Sequence, residues 1–432
     1  MFPGDDFSGM STSRDRLVEL RREFHRRPEV AWTEFWTTAR VVEELRSIGV
    51  DELHVGPEVL SDSRLSIPED EELAAAAEAA IEAGADPELV ERMAGGRTGC
   101  VAVIEQGEGP TVGLRVDIDG LPIEESSDDS HIPAREGFRS ETGAMHACGH
   151  DAHATIGLGV IEAIKGSDFS GTLKVFFQPA EEVVGGGRPM VESGHVDDVD
   201  YLFAVHVGLD HPTGEVVAGV EGFLAVSGFK ATFEGQQSHA GGRPEQGRHA
   251  VLAMASAVQN LQAISRHSEG ASRINAGRVG GGTASNIVPR EAFIRGEVRG
   301  ETTEIRDFML ERARDVIGGA AEMHDVAADM EIKSDAPSAT SSDDLVDLVQ
   351  DVTRSHPDVT RSVRNDDLGG SEDATFLMQH VQDNGGLATY VCVGTDHPGG
   401  HHSETFDVDE DSLTIAVDVL TASIENAAEA RP

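Results

Sequence analysis

The densest group of reactive side chains is Met145-His146-Ala147-Cys148-Gly149-His150-Asp151-Ala152-His153. A cysteine and a histidine two apart, with glycine between, can present a thiolate and an imidazole to one cation. A buried cysteine beside unrelated histidines would read the same way. The second group is Gln178-Pro179-Ala180-Glu181-Glu182, directly after the apolar run Leu173–Phe177. Adjacent carboxylates repel one another unless a cation intervenes, although a solvated acidic turn also accounts for them. The third candidate is His206, which closes the run Tyr201–Val207 and is either a ligand or a satisfied core residue. The fourth is Asp396-His397-Pro398-Gly399-Gly400-His401-His402-Ser403-Glu404. Thiolate, imidazole and carboxylate together suit Zn²⁺ or Mn²⁺ and differ from the all-oxygen sites of Ca²⁺. The donors suffice for two ions. Two cations beside a spare carboxylate are equipment for hydrolysis. The cations make a hydroxide at neutral pH and polarise a carbonyl, while the carboxylate moves the proton.

Each of these groups follows a run that reads as a strand. Cys100–Glu105, Val112–Val116, Leu173–Phe177, Tyr201–Val207 and Ala388–Val393 are β-rich, and Ala152–Ile164 reads as a helix. The alternation predicts an α/β sheet covered by helices, with ligands at the carboxyl ends of its strands. Residues 13–48 read as two amphipathic helices interrupted at Arg27-Pro28. Residues 57–97 include an acidic, Ala-rich stretch that reads as a helical insertion without chemistry. Near residue 220 the pattern changes. Phe229–Glu234, a helix at Ala250–Ser265, Ser272–Val279, Ala292–Val298 and a helix at 302–320 follow the ferredoxin-like order. The expected organisation is a catalytic domain in two segments, 1–219 and 333–432, around an inserted domain at 220–332. The second segment is expected to hold helices at 342–356, at 371–382 and from Glu410.

Composition narrows the partners. The 432 residues carry 34 basic and 78 acidic side chains, a net charge of −44. Such a surface repels nucleic acid phosphates and anionic lipid, and no apolar run approaches the roughly 20 residues that span a bilayer. Neither nucleic acid nor a membrane is expected as a partner. Lysine occurs only at 165, 174, 230 and 333, the rest of the basic side chains being arginine. This balance fits a halophilic protein, since molar salt screens charge over about 3 Å. The start, MFPGDDFSGMSTSRDRL, lacks the basic and apolar regions of a signal peptide. Three cysteines argue against a disulfide framework. Cytoplasm is the expected location.

The segments RVDIDGLPIEE (115–125), MHACGHDAH (145–153), QPAEE (178–182) and VHVG (205–208) resemble the binuclear-metal amidohydrolases of the M20 peptidase class. The resemblance is to the branch holding aminoacylase-like carboxypeptidases and indole-acetyl-amino-acid hydrolases. SHAGGRPEQGRHAVLA (238–253), HSEGASRINAG (267–277), GGSEDATFLMQHVQ (370–383) and GTDHPGGHHSETFDVDE (394–410) resemble the A-type subunits of its p-aminobenzoyl-glutamate hydrolases. The similarity runs from about 14 to 425, apart from 57–97. It implies a zinc-exopeptidase-like catalytic domain, with a central mixed sheet flanked by helices, and an inserted ferredoxin-like α+β domain for dimerisation and as a lid.

It also implies roles. Cys148, His150, Glu182, His206 and His402 are the expected ligands of two divalent ions, Mn²⁺ or Zn²⁺, with the Cys148 thiolate bridging both. His402 precedes Phe406 by four residues, the family's spacing, and His401 is the neighbour with which it can be confused. Glu181 matches the general base. Asp117 and Asp119 match the D-x-D-x-L-P motif. Asp119 is expected to orient a ligand imidazole, unless it is a structural cap. His146 and His153 are given no metal. His239 matches a histidine that reaches into the partner's site and holds the developing oxyanion. Asn286 and Arg299 match lid residues that hold the substrate's free carboxylate, a task suited to an Arg fork. The lid reads Pro244-Glu245-Gln246-Gly247-Arg248-His249-Ala250, where the wider branch has P-H-x-G-x-D-A. That departure leads away from plant hormone-conjugate hydrolases. The expected reaction is amide hydrolysis of an N-acyl amino acid such as p-aminobenzoyl-glutamate. The alternatives are a broader aminoacylase or carboxypeptidase, or a non-catalytic binding subunit. The same expectation includes a homodimer through the lid and a B-type partner.

Overall fold

The computed structural model describes residues 13–430. Most of the N-terminal stretch read for a signal peptide lies outside them. Two compact units divide the chain. One holds the chain up to Glu221, Ala339–Leu368 and the chain from Asp373, and the other holds Gly222–Ser338 with Gly369–Glu372.

The first unit is built on an eight-stranded mixed sheet. Its spatial order is Glu52–Val55, Cys100–Gln106, Gly171–Gln178, Thr111–Asp117, Tyr201–Val207, Leu387–Val393, Glu215–Glu221 and Arg361–Asp367. The four central strands from Gly171–Gln178 to Leu387–Val393 run parallel. They are rich in Val, Leu and Phe because both faces are covered, and nearly every residue in them is buried. Helices flank the sheet. His150–Lys165 is almost wholly buried and packs against Asp411–Glu429 and Arg14–His25. Its Gly157 lies against Val116 and Phe177, and its Gly159 against Val417 and Leu17, where a Cβ would crowd the neighbour. The N-terminal pair forms helices Arg14–His25 and Phe35–Ile48. The Ala-rich stretch forms Asp70–Glu82 and Pro87–Arg92, which bury Leu73, Ala80, Leu89 and Val90. The strands Glu52–Val55, Glu215–Glu221 and Arg361–Asp367 were not foreseen from sequence. Glu52–Val55 and Arg361–Asp367 are edge strands, polar and only partly buried. No described helix is long and apolar enough to cross a membrane.

The second unit carries a four-stranded antiparallel sheet. Its order is Ala327–Ala336, Ala225–Glu234, Glu291–Gly300 and Ser272–Gly281, with helices Ala250–Gln262 and Thr303–Met323 packed on it. In chain order this is strand, helix, strand, strand, helix, strand, the ferredoxin-like arrangement. The unit runs on to Ser338, past 332, because Ala327–Ala336 stays paired with Ala225–Glu234 as far as Ala336↔Val226.

Candidate metal centre

The carboxyl ends of the four parallel strands deliver the reactive groups. Thr111–Asp117 leads to Asp119, Gly171–Gln178 to Glu181 and Glu182, Tyr201–Val207 carries His206, and Leu387–Val393 leads to His401 and His402. Cys148 and His150 come from the start of the buried helix. Gly149 between them has φ 86°, and a Cβ there would lie 2.6 Å from Cγ2 of Val207. Only glycine permits both the left-handed turn and the close approach, so the C-G-H spacing is a backbone requirement.

Hydrogen bonding fixes how each imidazole is protonated. His150 Nδ1 lies 3.2 Å from Oδ1 of Asp119, so it carries the proton and donates. The opposite Nε2 is buried without a hydrogen-bond partner. It faces Glu181 and Glu182, each 3.9 Å away, and Asp117 at 3.6 Å. His206 Nδ1 donates to the carbonyl of Val207 at 2.7 Å, and its Nε2 lies 3.4 Å from Sγ of Cys148. Both rings therefore turn Nε2 inward, the atom that a ligand imidazole with an anchored Nδ1–H offers to a cation.

His401 is protonated the other way round. Its Nε2 accepts the N–H of Leu209 at 3.0 Å, so Nδ1 carries the proton and points at Cys148 Sγ, 3.6 Å away. His402 has φ 61°, a strained value for a residue with a Cβ, and its N–H donates to the Ala147 carbonyl at 2.8 Å. That pose brings His402 Nε2 within 3.5 Å of Glu182 Oε2. His153 donates Nδ1–H to Asp117 and accepts the N–H of Val207 at 2.9 Å. Both its nitrogens are engaged, which leaves none for a cation.

The electrostatics ask for positive charge. Burial pushes the Cys148 thiol up to about 12. Burial opposes charge on His150, yet Asp117, Asp119 and the sulfur hold its pKa well above the usual histidine range. Burial, with His153 and His401 alongside, holds His206 well below that range, so it stays neutral. Donor atoms of Cys148, His150 and Glu182 lie within 4.8 Å of one another, as do those of Cys148, His206 and His401. Cys148 belongs to both groups. An orphaned buried Nε2, a thiol that needs a cation to ionise and clustered carboxylates fit divalent metal.

Three carboxylates hold the loop that bears Glu181 and Glu182. Asp119 Oδ1 accepts the Glu181 N–H at 3.1 Å and Oδ2 accepts that of Glu182 at 3.0 Å. Glu34 accepts the Ala180 N–H at 2.8 Å and the Thr98 hydroxyl at 2.6 Å. Burial, then Asp119, push Glu34 up to about 8. Asp373 accepts the N–H groups of Gly186 and Gly187. Sequence reasoning missed Glu34 and assigned Asp373 nothing. Glu34 stands in no ligand-type cluster of the sequence, and both carboxylates accept backbone N–H groups that a sequence does not display.

Buried charges tie the remaining segments together. Arg21 lies 2.8 Å from Asp151 and 2.7 Å from Asp407. His25 bridges Asp151 at 2.8 Å and Glu125 at 2.9 Å. Asp151 adjoins His150, and Asp407 follows the His401-His402 turn.

The other expected residues lie in the second unit. His239 sits on a two-residue strand paired with Ile287–Val288. Its Nδ1 accepts the N–H groups of Gly241 and Gly242 at 3.1 and 3.0 Å, which leaves the proton on an exposed Nε2. Asn286 adjoins it, its carbonyl accepting the Ala240 N–H at 2.9 Å. Arg299 does not join this pair. It lies at the far end of Glu291–Gly300, about 27 Å along the strand from Glu291 at ~3.4 Å per residue, and its guanidinium is bonded to Glu297.

Comparison with known proteins accords with this geometry. Residues 113–426 match the model of Peptidase family M20/M25/M40. The chain is 42% identical over 416 residues to indole-3-acetyl-aspartic acid hydrolase of Enterobacter agglomerans, covering 95% of each chain. It is also 42% identical over 417 residues to the A-type subunit of p-aminobenzoyl-glutamate hydrolase from Escherichia coli (strain K12), again covering 95% of each. The crystal structure of an aminobenzoyl-glutamate utilization protein from Klebsiella pneumoniae superposes with a TM-score of 0.83 at 35% identity, covering 97% of both chains. With its motifs on the strand ends where that chemistry requires them, the chain belongs to peptidase family M20/M25/M40.

Proposed function

We propose that this hydrolase cleaves the amide bond of an aryl-acylated acidic amino acid, p-aminobenzoyl-glutamate or a related aroyl-glutamate. One observation carries the reading. The inward Nε2 atoms of His150 and His206 meet Cys148 and Glu182 at the carboxyl ends of the parallel strands, with Glu181 beside them. The two relatives of equal identity are named for an aryl-acyl group on aspartate and on glutamate, so the acidic amino acid is their common element.

Cys148, His150, Glu182, His206 and His402 would hold two divalent ions, Mn²⁺ or Zn²⁺, which supply Lewis acidity to a water and to the scissile carbonyl. His402 is preferred to His401 because the Nδ1–H of His401 is already directed at the sulfur. Asp119 keeps His150 in its ligand tautomer and fixes the backbone of both glutamates. Glu181 takes the proton from the attacking water and delivers it to the leaving amine. His239, with its exposed Nε2–H, donates to the developing oxyanion in the site of a neighbouring copy. Asn286 beside it binds the free carboxylate. Arg299 is proposed for the same carboxylate from the other copy of the homodimer, since within one unit it stands about 27 Å along the strand from Glu291, the end near Asn286. A homodimer through the second unit accords with the exposed Leu252 and Val279 of that unit. A B-type partner accords with the naming of the relatives as one component of a hydrolase. Three free thiols fit a reducing cytoplasm.

The test is hydrolysis of p-aminobenzoyl-glutamate in high salt with Mn²⁺ or Zn²⁺, against indole-3-acetyl-aspartate and N-acyl-leucine. Release of glutamate that is lost in Glu181→Ala with metal retained supports the reading. Preference for acyl-leucine moves the substrate to the general aminoacylases. No turnover of any amide by the metal-loaded protein refutes it.

A further inference from the structure

We propose that segment 57–97 is a brace for the Glu181–Glu182 loop and acts through Trp32. The inference rests on the metal-centre reading, since it concerns what positions Glu182. Trp32 is fully buried at φ 67°, in the turn between the first two helices. Its indole N–H donates to the carbonyl of Leu65, inside the segment, at 2.8 Å. The Arg64 guanidinium lies 5.3 Å from the indole ring and donates to the carbonyls of Gly95 and Gly96, at the segment's far end. A Cβ on Gly96 would lie 2.8 Å from the Trp32 carbonyl. The two ends of the segment therefore close around one indole.

The Cζ2 edge of that indole, beside its N–H, backs the carboxylate loop. A Cβ on Gly185 would lie 3.1 Å from Trp32 Cζ2 and 3.3 Å from the Leu65 carbonyl. Gly185 in turn donates its N–H to the Ala180 carbonyl at 3.0 Å, so it closes the turn that presents Glu181 and Glu182. Ala180 and Val184 hold left-handed φ values of 57° and 54°, strain that the surroundings must impose. Past the loop, the Ser61 N–H donates to the Pro189 carbonyl at 3.0 Å, and the hydroxyls of Ser61 and Ser63 bond Glu192. The segment thus grips the loop at Gly185 and the chain that follows it at Pro189 and Glu192. Trp32 is a positioning residue, and the Ala-rich helices anchor the grip.

The test is Mn²⁺ binding to the metal-free full chain, measured by equilibrium dialysis, with circular dichroism to check folding. Gly185→Ala pushes its methyl against the indole. It is expected to weaken Mn²⁺ about tenfold, at the low end for a residue that supports a ligand. Trp32→Phe removes the outer ring and makes room. In that background, adding Gly185→Ala is expected to change affinity less than twofold, a non-additivity that marks direct contact. Equal cost in both backgrounds, or no cost in the parent, overturns the brace. Should Gly185→Ala fail to fold, Trp32→Phe alone decides, since unchanged Mn²⁺ affinity there overturns it. Glu182→Gln separates the two levels. If the parent binds fewer than two Mn²⁺, or Glu182→Gln leaves binding unchanged, the metal-centre reading fails and the brace with it. If Glu182→Gln loses an ion while Gly185→Ala is silent, only the brace fails.

Discussion

Replacing Asp119 by asparagine changes one atom at the point where three donors converge. Oδ1 receives the His150 Nδ1–H at 3.2 Å and the Glu181 N–H at 3.1 Å, and Oδ2 receives the Glu182 N–H at 3.0 Å. The new amide has one acceptor and one donor end. With its oxygen in the place of Oδ2, two donors confront its NH₂ group. With its oxygen in the place of Oδ1, only the Glu182 N–H does, so this orientation wins. His150 then keeps its tautomer, and one buried N–H loses its partner. That costs about 1–3 kcal/mol, equivalent to roughly 5–150-fold in an equilibrium. The strain falls on Glu182, a proposed ligand, so Asp119→Asn should weaken metal binding about 10–100-fold. Asp119→Ala strips all three bonds and should cost roughly two to three times as much free energy. Chelator competition reads the affinity, and kcat/KM at saturating metal reads the rest. If Asp119→Asn binds metal within twofold of the parent, the argument that Asp119 holds the Glu182 backbone is wrong.

Glu181→Gln should keep both ions and lose about 10²–10⁴-fold in kcat, measured with metal content determined on the same sample. Loss of an ion would make Glu181 a ligand instead. His402→Ala should bind one ion fewer, whereas His401→Ala should keep the stoichiometry, both measured by elemental analysis after gel filtration. The reverse pattern would exchange the two histidines. Burial and Arg21 act to lower the His25 pKa, but its bonds to Asp151 and Glu125 win and raise it to about 9. Its contribution is therefore fully present below about pH 6.5 and is lost as pH rises through 9, on the order of 3 kcal/mol. The parent's Tm should fall over that window by more than that of His25→Gln, and parallel curves would contradict the assignment.

The sheet was legible because its parallel strands are buried on both faces and read as unbroken apolar runs, as in YLFAV and VFF. The ferredoxin-like order was legible because two helical and three β-like patterns alternate between 225 and 323, and the fourth strand completes them. Polar strands at the sheet edges were not, since Arg361–Asp367 has four arginine, asparagine or aspartate residues in its RNDD half and shows no alternation. At the site, the Cys148–His150 pair and the Glu181–Glu182 pair announced themselves by type and spacing. Glu34, Arg21 and His25 did not. They resemble the many surface charges of the first helices, and only folding shows that they are buried against backbone donors and one another. The bond from the Leu209 N–H to His401 Nε2 lay beyond sequence for a similar reason, because its donor is a backbone group.

The strand Leu387–Val393 lies between Tyr201–Val207 and Glu215–Glu221, yet it comes after the whole second unit in the chain. During synthesis, the first strands reach the solvent long before this neighbour exists. The contiguous second unit can fold in the meantime as a unit of its own. Until the C-terminal segment arrives, Tyr201–Val207 keeps an open edge, and the turn that carries His402 is not yet made. Cys148, His150, Glu182 and His206 thus precede the histidines of that turn on a nascent chain. The C-terminal segment thus both fills the gap in the sheet and brings His401 and His402 to the strand ends where His206 and Glu182 already stand.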